Sequence, residues 1–331
     1  MGPVILRRLV SMIPLLFFVS IVLFAMSLQL DPAKAAQTRA GGVNVSSVEV
    51  FEQVKEELGL NDPIIVRYGR WLGDVVRFDL GESLVRTQSV TLDSGETVVQ
   101  GRSVTHEIGV ALPRTVSIAV VGLIFGVVVG GTVGLIGGLR PGSIWDRGSV
   151  LFATLGIAMP SYWLIMLLII YFSIDHGWLP ATGYEPYSAG LWPWLSHILL
   201  PGIAVGTGVA AITARQLRAS LMDVMGSAYI RTAWAKGASP RRVVAGHALK
   251  NSLSAPLTTF GTMFAHMLGG TVIIESLIGI QGIGLLTVNA VRANDIIMLQ
   301  GIVLFFVLVT VAVNLLVDIV YLYANPKVRL T

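Results

Sequence analysis

The sequence predicts an all-α polytopic membrane protein with six transmembrane helices. Three observations carry the reading: six long windows without a charged residue, a composition unlike that of a soluble domain, and a one-sided distribution of Lys and Arg. The 331 residues are 54% hydrophobic and only 13% charged, and mean hydropathy is +0.75. Ordinary globular chains carry about 25% charged residues, and a disordered chain would be poorer still in apolar residues. A bilayer core takes about 20 apolar residues per helix, and the uncharged windows are 22, 25, 27, 29, 24 and 22 residues long.

The first window lies between Arg8 and Asp31. Arg7-Arg8, the apolar run and Ala33-Lys34-Ala35 loosely imitate a cleavable signal peptide, but signal cores run about 7–15 residues. The run is therefore read as span 1, and residues 1–30 as N-terminus plus first helix. Residues 31–113 form a large loop region between helices 1 and 2, too long for a simple connection. Within it Val48, Phe51, Val54 and Leu58 recur at helical spacing, and Ile64 to Leu72 reads as a second short amphipathic helix. Thr87 to Arg102 is polar and reads as an exposed turn or hairpin, and Asn44-Val45-Ser46 matches a glycosylation sequon by a pattern too short to weigh.

Residues 114–331 form the core, with helices 2–6. Span 2, between Arg114 and Arg140, carries Gly122, Gly126, Gly130, Gly134 and Gly138. Glycines four apart leave one helix face without side chains, along which another backbone can approach closely. Spans 3 and 4 fill the windows Arg147–Asp175 and Glu185–Arg215. A loop at 215–250 follows, with seven basic residues against the single acid Asp223. Ser227 to Lys236 is compatible with a short helix that offers Ala228, Ile230, Ala233 and Trp234 for burial. Gly237 breaks it, and Ser239-Pro240 restarts a helix with Ser as N-cap and Pro at the first position. Spans 5 and 6 lie in the windows Lys250–Glu275 and Asp295–Asp318. Glu275 and Asp318 sit close enough to span ends to be read as interfacial.

With six spans the termini share a side. That side holds thirteen Lys and Arg, including those of 215–250, whereas the two short opposite loops hold Arg292 alone. The positive-inside rule puts both termini in the cytoplasm and 31–113 outside, since long loops translocate regardless of charge. The absence of cysteine excludes disulfides and thiolate metal sites. No Walker A sequence, G-x-S-x-G elbow or H-E-x-x-H pair occurs, and His106, His176, His197, His247 and His266 are scattered without ligand spacing. Catalytic residues and metal ligands are therefore expected to be absent, and nothing on a soluble face suggests nucleic acid.

The loop carries a family resemblance. Tyr229-Ile230-Arg231-Thr232-Ala233-Trp234-Ala235-Lys236-Gly237-Ala238-Ser239, then Arg241-Arg242-Val243 and His247-Ala248-Leu249-Lys250-Asn251, resembles the EAA loop of ABC importer permeases. More narrowly it is similar to the first of the two permeases in dipeptide, oligopeptide and nickel importers. Arg231-Thr232-Ala233 replaces E-A-A, and Lys250 stands where the family has proline. Asp79-Leu80-Gly81-Glu82-Ser83, Pro160-Ser161-Tyr162-Trp163, Trp178-Leu179-Pro180 and Glu275 through Gly284 extend the match along the chain, and 87–102 resembles an insertion.

The resemblance implies a type I importer permease fold and a transport subunit rather than an enzyme. Its implied partners are a second homologous permease, two cytosolic ATPases that carry ATP and Mg, an extracytoplasmic binding protein and the bilayer. Tyr229, Arg231, Thr232, Ala233, Lys236, Gly237, Ala238 and Ser239 would form the ATPase-coupling element, and the five glycines of span 2 a packing seam. Peptides are the implied cargo, with nickel chelates or another small solute as the alternative. A secondary transporter is the rival from another class. It would need polar groups at mid-membrane or a repeat of broken helices.

Overall fold

The computed structural model describes residues 2–28, 56, 61–91 and 97–324. The segment Val48 to Leu58 read as a helix, the sequon at Asn44, the Ala33-Lys34-Ala35 site and the tip of the 87–102 segment lie wholly or mostly outside these residues. Five described helices are long and apolar enough to cross a bilayer, and a bent pair makes a sixth if its arms count as one span. The chain divides into two compact units, one of residues 2–113 and 285–311, the other of 114–284 and 312–331.

In the first unit, helix α1 (Gly2–Ser27) is followed by α2 (Ile64–Val76). Strands β1 (Glu82–Thr91) and β2 (Thr97–Ser103) then pair antiparallel, with Thr91 opposite Thr97 and an irregularity between Glu82 and Thr87. The next helix, α3, runs Val104–Leu139. It begins at Val104 rather than after Pro113, because Val104, Ile108 and Ala111 recur at helical spacing and are all buried. The chain returns to this unit with most of α11 (Ile283–Arg292) and the first half of α12 (Ile296–Ala324). Asp295 caps α12 by accepting from the Met298 N–H at 3.2 Å, and it also takes the hydroxyl of Ser83 at the start of the hairpin. The buried Gln300 amide donates to the Leu23 carbonyl of α1 at 2.5 Å.

The second unit holds the rest of α3, then α4 (Ile144–Ala158), α5 (Ser161–Leu168) with its π-helical continuation Ile169–Asp175, α6 (Leu191–Met225) and α7 (Ala228–Ala235). One turn, α8 (Pro240–Arg242), passes through a π-helical stretch Val243–Leu249 into α9 (Lys250–Ser252), and α10 (Ser254–Ile278) follows. The window read as span 3 is not one straight helix. The arms Ile144–Ala158 and Ser161–Asp175 meet at 104°. Met159 is extended at φ −81°, ψ 119°, as the residue before a proline prefers, and Pro160 cannot continue the hydrogen-bond ladder. Pro113 and Pro201, by contrast, sit inside unbroken helices.

Candidate functional site

The loop at 215–250 is folded as a compact foot. Gly226 caps the end of α6, and Ser227, extended at φ −71°, ψ 152°, starts α7. At the far end of α7, Gly237 takes φ +74°, a left-handed conformation that costs an L-residue roughly 1–2 kcal/mol and glycine almost nothing. The Gly237 N–H donates to Trp234 O at 2.9 Å and the Ala238 N–H to Ala233 O at 3.2 Å, the paired bonds of a Schellman stop. A Cβ on Gly237 would meet nothing within 4 Å, so the position requires glycine for its backbone and not for space. Ser239 holds the N-cap position before Pro240 but makes no side-chain cap bond, because the single turn at once joins the π-helical stretch.

One face of the foot is glued down and the other is bare. Ile230, Val243 and Ala248 are buried against Leu221 of α6, with Leu135, Leu139, Val224, Met225, Ala233 and Ala238 packed around them. Asn251 Nδ2 donates to the Tyr229 hydroxyl at 3.1 Å and to His247 O at 2.7 Å, tying α7 to α9. Burying Ile230 completely contributes about 1.5–3 kcal/mol. Arg231, Thr232, Lys236, Gly237, Ser239, Arg241 and Arg242 are exposed. Of the four side chains read as available for burial, Ile230 is buried and Ala233 partly so. Ala228 and Trp234 face outward, since an eight-residue helix presents only one stripe to its support.

The five glycines of α3 lie against α6 over its length. Cβ atoms at Gly122, Gly130 and Gly134 would come within 2.4–2.9 Å of the carbonyl oxygens of Gly202, Ala210 and Ala214, and one at Gly126 within 2.6 Å of Val209. Gly138 faces Leu221 and the Arg218 carbonyl at 3.0–3.1 Å. From α6 the close approach is returned by Gly202 and Gly206. The seam ends in a close ion pair between Asp146 and Arg218, and Asp146 also accepts from the Gly142 N–H at 2.8 Å. Sequence reasoning missed this pair. Its signal was a lone acid three residues after a Ser N-cap, in the first turn of a helix.

Two further features were not legible. A cavity of about 550 Å³ lies among α4, α5, α6 and α10, lined by Met159, Val209, Gln216, Thr259, Met263 and Gly270 among others, with Thr259 Oγ1 donating to Gln216 Oε1 at 2.8 Å. Glu275, read as interfacial, is instead wholly buried. It accepts from Thr115 Oγ1 and the Gly284 N–H at 2.7 Å each, and Thr115 Oγ1 accepts from the Ile283 N–H at 2.8 Å. Gly282 and Gly284 leave no room for a Cβ beside its carboxylate, and their spacing in Ile280-Gln281-Gly282-Ile283-Gly284 was the available clue.

Residues 112–330 match the family described as binding-protein-dependent transport system inner membrane component, and residues 1–119 match the N-terminal family of such membrane components. A peptide transport system permease of Brucella abortus is 35% identical over 329 residues, covering 99% of each chain. A dipeptide transport system permease of Alkalihalophilus pseudofirmus and a glutathione transport system permease of Escherichia coli are each 33% identical, over 98% of each chain. Among solved structures, an inward-facing methionine ABC transporter aligns with TM-score 0.54 at 17% identity, covering 66% of this chain and 97% of that one; at that identity the likeness speaks to fold alone. Multiple apolar spans, a folded foot between two of them and full-length relatives agree: the chain belongs to the inner membrane components of binding-protein-dependent transport systems.

Proposed function

We propose that this chain is one of the two permeases of an ATP-driven peptide importer in a bacterial plasma membrane. Both termini and the foot would face the cytoplasm. A second homologous permease would complete the pathway, two cytosolic ATPases carrying ATP and Mg would sit beneath, and an extracytoplasmic binding protein would deliver cargo. The observation that carries the reading is the full-length likeness to permeases named for peptides, dipeptides and glutathione. Those names favour peptides over nickel chelates.

The foot's geometry supports the assignment of Tyr229, Arg231, Thr232, Ala233, Lys236, Gly237, Ala238 and Ser239 to ATPase coupling. A lever must be fixed to what it moves and open to what moves it. Here the apolar stripe through Ile230 anchors the foot to α6, and the basic, exposed side is left for an acidic groove. Close packing lets a push on α7 travel into α6 and, through the glycine seam, into α3. The test is uptake of a labelled dipeptide by cells deleted for this chain. Restoration by the wild type and loss with Gly237→Val at normal membrane abundance are expected. Uptake unchanged by Gly237→Val removes the coupling assignment, and no uptake of any peptide with the wild type removes the cargo.

A further inference from the structure

Among the described residues, the helix Ile64–Val76 has an apolar face that is largely uncovered at its two ends. At 100° per residue, Ile65, Leu72 and Val76 fall within about 40° of one another, and Arg67, Arg70 and Asp74 lie on the opposite side. Ile65 and Val76 are 84% and 72% exposed, and Leu72 between them is half-buried. The flank next to this apolar strip meets α1. The Tyr68 ring packs edge-on against Phe17 and Phe24, its hydroxyl is 2.7 Å from Ser20 Oγ, and Trp71 lies 5.9 Å from Phe24. Phe17, Ser20 and Phe24 all lie inside the apolar window Val10–Ser27. Beside them Phe18, Ile21 and Val22 are themselves exposed, as residues of a spanning helix that meet lipid or a partner helix are.

We propose that this helix lies in the plane of the membrane interface, its Ile65–Leu72–Val76 strip in the acyl boundary and Arg67 and Arg70 among the phospholipid headgroups. The occupant of the bare face is the lipid of the leaflet on the hairpin's side. The flank beside the strip packs on the apolar window of α1, and an apolar strip with arginines opposite, Arg70 paired with Asp62 at 2.8 Å, is the pattern of interfacial helices. Past Arg77 the chain turns at once into the hairpin. Thr105 Oγ1 donates to Phe78 O at 2.8 Å and the Val104 N–H to Gly81 O at 2.9 Å. The helix therefore sets the height of the β1–β2 hairpin above the bilayer.

The chain contains no cysteine, so Ile65→Cys, Val76→Cys and Arg70→Cys can each carry a single nitroxide in the complete transporter, its partners' cysteines removed, in phosphatidylcholine–phosphatidylglycerol liposomes. Line broadening by oxygen, which partitions into lipid, is compared with broadening by a water-soluble nickel chelate. Oxygen is expected to dominate at 65 and 76 and nickel at 70. Nickel dominance at 65 or 76 overturns the proposal, because that end of the helix is then in water. Protection from both reagents at 65 and 76 also overturns it, because a protein surface then covers the strip. All three positions are exposed and co-purification of partners checks assembly, so each outcome reports placement and not misfolding.

Discussion

Neighbouring glycines in α3 should respond to the same substitution with opposite sign. A Cβ at Gly130 would stand 2.4 Å from the Ala210 carbonyl oxygen, 2.8 Å from the Ala210 Cα and 2.9 Å from the Thr213 Cβ. Ordinary carbon–oxygen approach across packed helices is about 3.3–3.6 Å, so Gly130→Ala would force α3 and α6 apart by roughly 1 Å. No flexible side-chain end can yield, because the two nearest atoms are backbone and the third is a Cβ fixed to it. A gap of that size forfeits about a quarter to a half of each dispersion contact it opens, and overpacking of this kind costs about 1–3 kcal/mol. At Gly131 a Cβ meets nothing within 4 Å, and Ala gains up to about 1 kcal/mol of helix propensity. The two variants should therefore differ by about 2–4 kcal/mol. Unfolding of the purified chain by increasing SDS in mixed micelles reads the difference, with the Gly130 variant unfolding first and the Gly131 variant last. Equal midpoints, or a more stable Gly130 variant, would refute the close approach of α3 to α6.

Three further expectations concern the foot and the buried acids. Ile230→Ala removes the anchor of α7 and should destabilise the foot by about 2–5 kcal/mol, read as faster proteolysis within 226–252 while the spans remain protected. Gly237→Ala should be milder than Gly237→Val, since Ala bears only the strain of the left-handed conformation, roughly 1–2 kcal/mol; dipeptide uptake should rank wild type, Ala, Val. Thr115 and Gly284 donate to different oxygens of the Glu275 carboxylate, so Glu275→Gln keeps an acceptor for one of them and turns an amide NH2 toward the other, whereas Glu275→Ala leaves both donors buried and unpaired at about 1–3 kcal/mol each. SDS-unfolding midpoints should rank wild type, Gln, Ala, and an Ala variant as stable as wild type would mean the carboxylate is not needed there.

The polytopic helical fold was legible because bilayer chemistry writes itself as charge-free windows, which need no knowledge of what packs where. The same rule is blind to proline. The window from Arg147 to Asp175 contains Pro160, and charge counting passed over a 104° bend that the Met159-Pro160 pair makes locally. Four-residue glycine spacing defines a bare face on α3, but nothing in α3 says that α6 occupies it. In the foot, Gly237 and Pro240 punctuate the chain visibly. Which residues face inward depends on Leu221 at the end of the preceding helix and on Leu135 and Leu139, remote in sequence from α7. Glu275 was misplaced for a related reason. Sequence position near a span end suggests water, while its partners Thr115 and Gly284 are brought up by other elements, Thr115 being held in turn by the Ile283 N–H.

The central claim is that the foot joins this permease to ATPases. Affinity purification of the tagged chain from mild detergent, with mass-spectrometric identification of what accompanies it, tests that most directly. Recovery of a second permease and two ATPases, with the ATPases lost on Gly237→Val, is the predicted result. A chain that purifies alone yet moves peptide when reconstituted in liposomes would contradict the account and return the secondary-transporter reading to first place.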